Sequence, residues 1–132
     1  MTTFVDHLAT SRFQATDRIL DSGLVPVRIS RGAPRWKLRY KLAGAVKSLA
    51  PSADLYARRG SSAFESDYMH QLDVLRVDDL SQEFRSISEG HGGAGLVFLC
   101  FEDLDVLGEG SCHRRMFARW WEARTGMPIP EL

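Results

Sequence analysis

Gly95-Leu96-Val97-Phe98-Leu99-Cys100 decides the fold: a glycine, four apolar residues and a thiol follow one another with no polar residue between them. A run of this length with no alternation reads as a strand buried on both faces, as in a sheet covered by helices on each side. Upstream, Glu89-Gly90-His91-Gly92-Gly93-Ala94-Gly95 breaks a helical region. In that region Phe64, Tyr68, Leu72 and Leu75 recur at helical spacing, and Leu80, Phe84 and Ile87 continue the pattern after Asp78-Asp79. Two consecutive helices, or one bent helix, therefore run from Ala63 to Ser88. Downstream, a helix over Cys112 to Thr125 carries Cys112, Met116 and Trp120 on one stripe and His113, Phe117 and Trp121 on the next. Gly126 and Pro128 close it.

Toward the amino terminus, Asp6 to Ser11 reads as a first strand, with a helix over Thr3–Asp21 as the competing assignment. Leu24-Val25-Pro26-Val27-Arg28-Ile29-Ser30 is a second strand, and Pro26 restricts it to a strand's beginning or to an edge. Arg31-Gly32-Ala33-Pro34 is a turn. The basic stretch Arg35 to Lys47 fits neither period and is a loop, or a short helix near Leu42–Leu49. Tyr56 to Ser62 reads as a loop. The order of elements predicts an α/β domain with a small open, largely parallel sheet and helices on its faces. It is three-layered and Rossmann-like, without a dinucleotide fingerprint.

The chain has 132 residues, 44% of them apolar, which suits one domain over 1–132 with a single sizeable core. Charged residues make up 26%, and no apolar run approaches the roughly 20 residues of a membrane span. The first residues lack the pattern of a secretory signal, so a cytoplasmic location with no membrane partner is expected. Cys100 and Cys112 are the two cysteines, expected as free thiols. Formal net charge is zero, yet residues 1–60 hold eleven basic and four acidic side chains, and residues 61–132 hold six and thirteen. Such asymmetry marks either a face for polyanions or two halves that attract one another.

In open α/β sheets, ligands bind outside the carboxyl ends of the strands. Applied strand by strand, this rule collects Ser11-Arg12, Ser30-Arg31-Gly32, Cys100-Phe101-Glu102 and Cys112-His113-Arg114 along one edge. Forked guanidinium donors suit phosphate oxygens, so Arg12, Arg31 and Arg114 are the candidate anion contacts, with Ser11, Ser30, Gly32 and Cys100 beside them. Ser111 is placed to cap the last helix. A thiol in its first turn beside His113 and Arg114 is either an activated nucleophile or the start of a buried stripe. Glu102 is either a general acid or base, or an orienting partner for Arg114. Glu102, Cys112 and His113 are thus the candidate catalytic groups. Their spacing matches no standard metal-binding pattern, and no metal or cofactor is expected. Arg28 to Lys41 holds six basic residues and no acid, interleaved with Trp36 and Tyr40. It reads either as a nucleic-acid-tracking surface or as a solvated loop with Trp36 in the core.

Thr10-Ser11-Arg12, Val27-Arg28-Ile29-Ser30-Arg31-Gly32-Ala33-Pro34, Phe64-Glu65-Ser66-Asp67-Tyr68 and Leu99-Cys100-Phe101-Glu102 with Cys112-His113-Arg114 together resemble the domain-of-unknown-function 488 family. The resemblance extends over nearly the whole chain. Its most specific part is the paired Cys-x-Glu and Cys-His-Arg motifs. It implies a compact α/β protein and assigns no activity. Two features depart from the pattern: the link from Glu102 to Cys112 is long and acidic, and a second arginine, Arg115, follows Arg114. The expected function is binding of a small phosphate-bearing ligand, a nucleotide or nucleic-acid component, with or without catalysis. The alternatives are a non-catalytic nucleic-acid-binding module using residues 28–41, and a scaffold or inhibitor that docks a protein.

Overall fold

The computed structural model describes residues 4–101 and 113–132. Four parallel strands form one open sheet: β1 (Leu8–Arg12), β2 (Val25–Arg28), β3 (Gly44–Ala45) and β4 (Leu96–Cys100), in spatial order β1-β4-β2-β3. The α/β reading holds, with the sheet parallel throughout. β4, last in sequence, is inserted between the first two strands, and all five of its residues are buried. Its unbroken apolar run follows from that position, since both faces and both edges are covered.

Each face of the sheet carries its own apolar cluster. Leu96 and Phe98 of β4 point toward α3 (Phe64–Asp73), α4 (Val77–Glu89) and α5 (His113–Thr125), where Phe84 and Phe117 meet Phe98 and Trp121 meets both of them. Val97 and Leu99 point the other way, onto Ile19 of α1 (Thr16–Ser22) and onto Phe13, with Leu38, Tyr40 and Leu42 packed beside them. The expected helical stripes are buried as read: Phe64, Tyr68 and Leu72 on α3, Leu80 and Phe84 on α4, and Met116, Trp120, Phe117 and Trp121 on α5. α3 and α4 are two helices, because Arg76 adopts an extended backbone (φ −100°, ψ 127°) between them.

Several short elements differ from expectation. The choice between strand and helix near the amino terminus is resolved by both forming in succession, β1 and then α1. The stretch Arg35 to Lys47, expected as a loop or a short helix near Leu42–Leu49, contains the two-residue β3 and leads into a single 3-10 turn (Lys47–Leu49), and α2 (Ala53–Ala57) reaches into the expected loop from Tyr56 to Ser62. Ser52 caps α2 by accepting from the Leu55 N–H at 3.2 Å. Pro26 is the second residue of an interior strand. Its carbonyl accepts from the Ala43 N–H (2.9 Å) on the β3 side, and β3 begins only at Gly44, opposite Val27. Pro26 therefore removes no donor from a ladder.

β1 has a second neighbour. Thr10 pairs in parallel with Glu131: its N–H donates to the Pro130 carbonyl (2.9 Å), and its own carbonyl accepts from the Leu132 N–H (2.8 Å). The 130–132 segment thus covers what would be an open strand edge. At the amino end of β4, Gly95 lies where a side chain would collide with the His7 carbonyl and with Leu24. No helix among the described residues is long and apolar enough to cross a membrane.

Candidate functional site

Because all strands run the same way, the chain leaves β1 at Arg12, β2 at Arg28 and β4 at Cys100 along one edge, and α5 begins beside them. Among the described residues, the sequence-selected serines, arginines, Gly32 and His113 line two cavities there rather than one. Among the described residues the two share no lining residue.

The first cavity, about 520 Å³, lies beyond β2. Its turn is held locally: Arg28 Nη1 donates to the Ser30 carbonyl (2.9 Å), and the Ser30 hydroxyl donates to the Gly32 carbonyl (2.6 Å). Ser30's proton is therefore used within the turn, while its oxygen keeps lone pairs to accept with. Arg31, whose Nη1 lies 3.3 Å from the Pro51 carbonyl, lines the cavity with Arg35 and His113. Trp36, Tyr56 and Phe101 supply aromatic walls. Trp36 stands edge-on to Phe101 at 5.9 Å and is 44% exposed, so it belongs to this wall and not to the core. Arg59 stacks over Tyr56 at 4.3 Å from the ring centre, bringing a further cation to that wall's outer side. No carboxylate lines the cavity among the described residues.

His113 is buried, and its Nε2 lies 2.9 Å from the Ile29 carbonyl. A carbonyl only accepts, so Nε2 carries the proton and Nδ1 is the basic nitrogen of the neutral ring. The ring also meets Tyr68 edge-on at 5.7 Å, and the Tyr68 hydroxyl donates to the Leu49 carbonyl (2.6 Å). His113 is thereby fixed in orientation at the cavity wall.

The second cavity, about 350 Å³, lies beyond β1 and contains Ser11, Arg12, Arg18, Arg114 and Glu131. Arg114 is 1% exposed and forks onto Glu131, with Nη2 to Oε2 at 2.7 Å and Nε to Oε1 at 3.0 Å. Its Nη1 also lies 3.2 Å from the Cys100 sulfur. Glu131 accepts from the Thr10 hydroxyl at 2.6 Å, and Arg115 Nη1 donates to Thr10 Oγ1 and to the Ile129 carbonyl, both at 2.8 Å. Arg115 thus ties the 129–132 segment to β1.

Ser30, Arg31, Gly32 and His113 accordingly share the first cavity, and Ser11, Arg12 and Arg114 the second. Cys100 is buried beneath the edge, in contact with Arg114. Glu102, Ser111 and Cys112 lie outside the described residues. Sequence reasoning did not select Glu131, which sits among prolines after the last helix, nor Tyr56 and Phe101. Among the described residues no cluster of His, Cys, Asp and Glu is arranged to hold a metal ion.

Comparison of the chain with protein-family models, with curated proteins and with solved structures gives no match.

Proposed function

We propose that this domain binds a small phosphate-bearing ligand, a nucleotide or nucleic-acid component, in the cavity beyond β2, and that it works in the cytoplasm. One observation carries the reading: Arg31, Arg35 and His113 line the same space as the aromatic rings of Trp36, Tyr56 and Phe101, with no carboxylate among the described lining. Guanidinium groups pair with phosphate oxygens, and aromatic rings stack on bases. A volume of about 520 Å³ suits a ligand of mononucleotide size. His113, with Glu102 and Cys112, remains the proposed source of any chemistry. The sequence motifs place the chain beside the domain-of-unknown-function 488 family, and that placement is part of the same proposal.

Calorimetric titration with nucleoside monophosphates and the matching nucleosides tests the reading. Binding of the monophosphates, lost in Arg31→Ala/Arg35→Ala and weakened in Trp36→Ala, is the expected result. Equal affinity of wild type and the double variant would overturn it. A second reading, a surface for single-stranded nucleic acid, is favoured by the exposure of Lys37, Arg39 and Lys41 next to Trp36.

A further inference from the structure

We infer that the ligand of the cavity beyond β2 is one nucleotide of a single-stranded nucleic acid, and that the rest of the strand lies over a row of cations formed by Lys37, Arg39 and Lys41. The inference rests on the nucleotide reading of that cavity and names its substrate class: a strand of about four nucleotides, one in the cavity and one phosphate per cation, rather than a free nucleotide.

The row follows from the way residues 37–42 are anchored. Successive side chains alternate: Leu38, Tyr40 and Leu42 pack on the apolar cluster of Phe13, Ile19, Val97 and Leu99, while Lys37, Arg39 and Lys41 are exposed. The Tyr40 hydroxyl donates to the Phe13 carbonyl at 2.7 Å, and the Ala43 N–H donates to the Pro26 carbonyl at 2.9 Å, so the segment is pinned to the rest of the fold. Two residues span at most about 7 Å of chain, a separation comparable with that of successive phosphates along a single strand. At one end the row meets the cavity, because Arg35 and Trp36, which immediately precede Lys37, line it. A strand whose base occupies the cavity and whose backbone leaves past the partly exposed Trp36 meets Lys37 first.

The charge of the row is not answered within the protein. Among the described residues, none of Arg35, Lys37, Arg39 and Lys41 has a side-chain hydrogen bond or ion pair, and the sequence holds no acidic residue between Asp21 and Asp54. Exposed arginines elsewhere are held: Arg58 by Asp54 and Asp67, Arg119 by Glu65, and Arg124 by Asp73. The counter-ions of the row therefore come from solution, and their release favours a bound polyanion. A duplex fits this surface poorly, since its bases are stacked and paired away from a cavity walled by aromatic rings. An acidic peptide would use the row but gain nothing from those walls.

Titration of the full chain with thymidine monophosphate and with oligothymidylates of increasing length tests the inference. Affinity should climb with each added nucleotide and level off at about four. The plateau strand should show a slope of log K against log salt steeper than that of the monophosphate by about 2, at roughly 0.7 per phosphate contact. Lys37→Gln/Arg39→Gln/Lys41→Gln should weaken the plateau strand by about tenfold or more and remove its extra salt dependence. The same variant should bind the monophosphate as wild type does, since none of the three residues lines the cavity, and should melt with wild type, since all three are exposed. Trp36→Ala should weaken both ligands. Monophosphate binding with no gain from added length, or a gain that survives the triple variant, overturns the inference and leaves the nucleotide reading standing. Strand binding that neither Trp36→Ala nor Arg31→Ala/Arg35→Ala changes overturns both, as does absence of binding by either ligand. An acidic peptide of equal charge that binds as tightly as the strand, through the same three cations, overturns the inference in favour of a protein partner.

Discussion

Arg114 and Glu131 form a two-pronged ion pair in which the guanidinium is wholly inside the protein and the carboxylate is about one-quarter exposed. An arginine in that position cannot shed its proton and needs a counter-charge where it stands. The counter-charge comes from the segment that also pairs with β1. Completion of the sheet and neutralisation of the helix α5 entrance are therefore one structural event.

Glu131→Gln should destabilise the protein by about 2–3 kcal/mol, below the full penalty for breaking a buried pair because the carboxylate is partly solvated. Glu131→Ala should cost more, since the Thr10 hydroxyl loses its acceptor as well. Urea unfolding at neutral pH gives both values. A Glu131→Gln midpoint equal to wild type would show that Arg114 is compensated without the Glu131 charge.

Gly95→Ala should cost about 2 kcal/mol or more, because the added methyl would meet the His7 carbonyl, a backbone atom tied into the sheet by its bond from the Leu96 N–H. Gly32→Ala, where open space surrounds the backbone, is the control and should be near neutral. Comparable melting temperatures for the two variants would contradict this account.

Burial raises the Tyr40 phenol to about 12, and its hydroxyl donates to the Phe13 carbonyl at 2.7 Å. A group whose folded value lies above its unfolded value of 10.0 favours the protonated, folded form. Its contribution to stability is complete below pH 10 and declines as pH rises toward 12. Ultraviolet titration of phenolate in the folded protein should show a late component that Tyr40→Phe abolishes. Retention of that component in the variant would assign it to another tyrosine.

For the single-stranded nucleic-acid reading, changing Arg35, Lys37 and Arg39 together should weaken oligonucleotide binding. It should also reduce the slope of log K against log salt by about 2, at roughly 0.7 per phosphate contact. Affinity for a short oligonucleotide that does not change with salt would remove this reading and leave the mononucleotide one.

The long and strongly patterned parts of the fold could be read in advance. β4 announced itself because a strand covered on all sides has no position for a polar side chain. The stripes of α3, α4 and α5 followed from helices that each press one side against the sheet. α2 went unread, and α1 was anticipated only within the competing helix over Thr3–Asp21, for the opposite reason: each has one buried residue, Ile19 and Leu55, and a single residue has no period. The gathering of Ser-Arg turns at one edge was also foreseeable from strand direction alone. Their division into two cavities was not, because it depends on β4 lying between β1 and β2, and neighbour order in a sheet leaves no local mark on composition. Glu131 escaped notice because its partner is 17 positions away, across a helix and a turn with no fixed geometry.

β1 is made early, yet both of its neighbours come late: β4 pairs Leu8 with Leu96, and Thr10 bonds to Glu131 across 121 positions. A chain emerging from the ribosome must therefore carry β1 without β4 until residues near 100 are free, and without its second neighbour until residues 130–132 are free. Loop closure over such separations slows folding and prolongs the life of open strand edges. The outer edge of β1 therefore stays open until residues 130–132 are free to reach it.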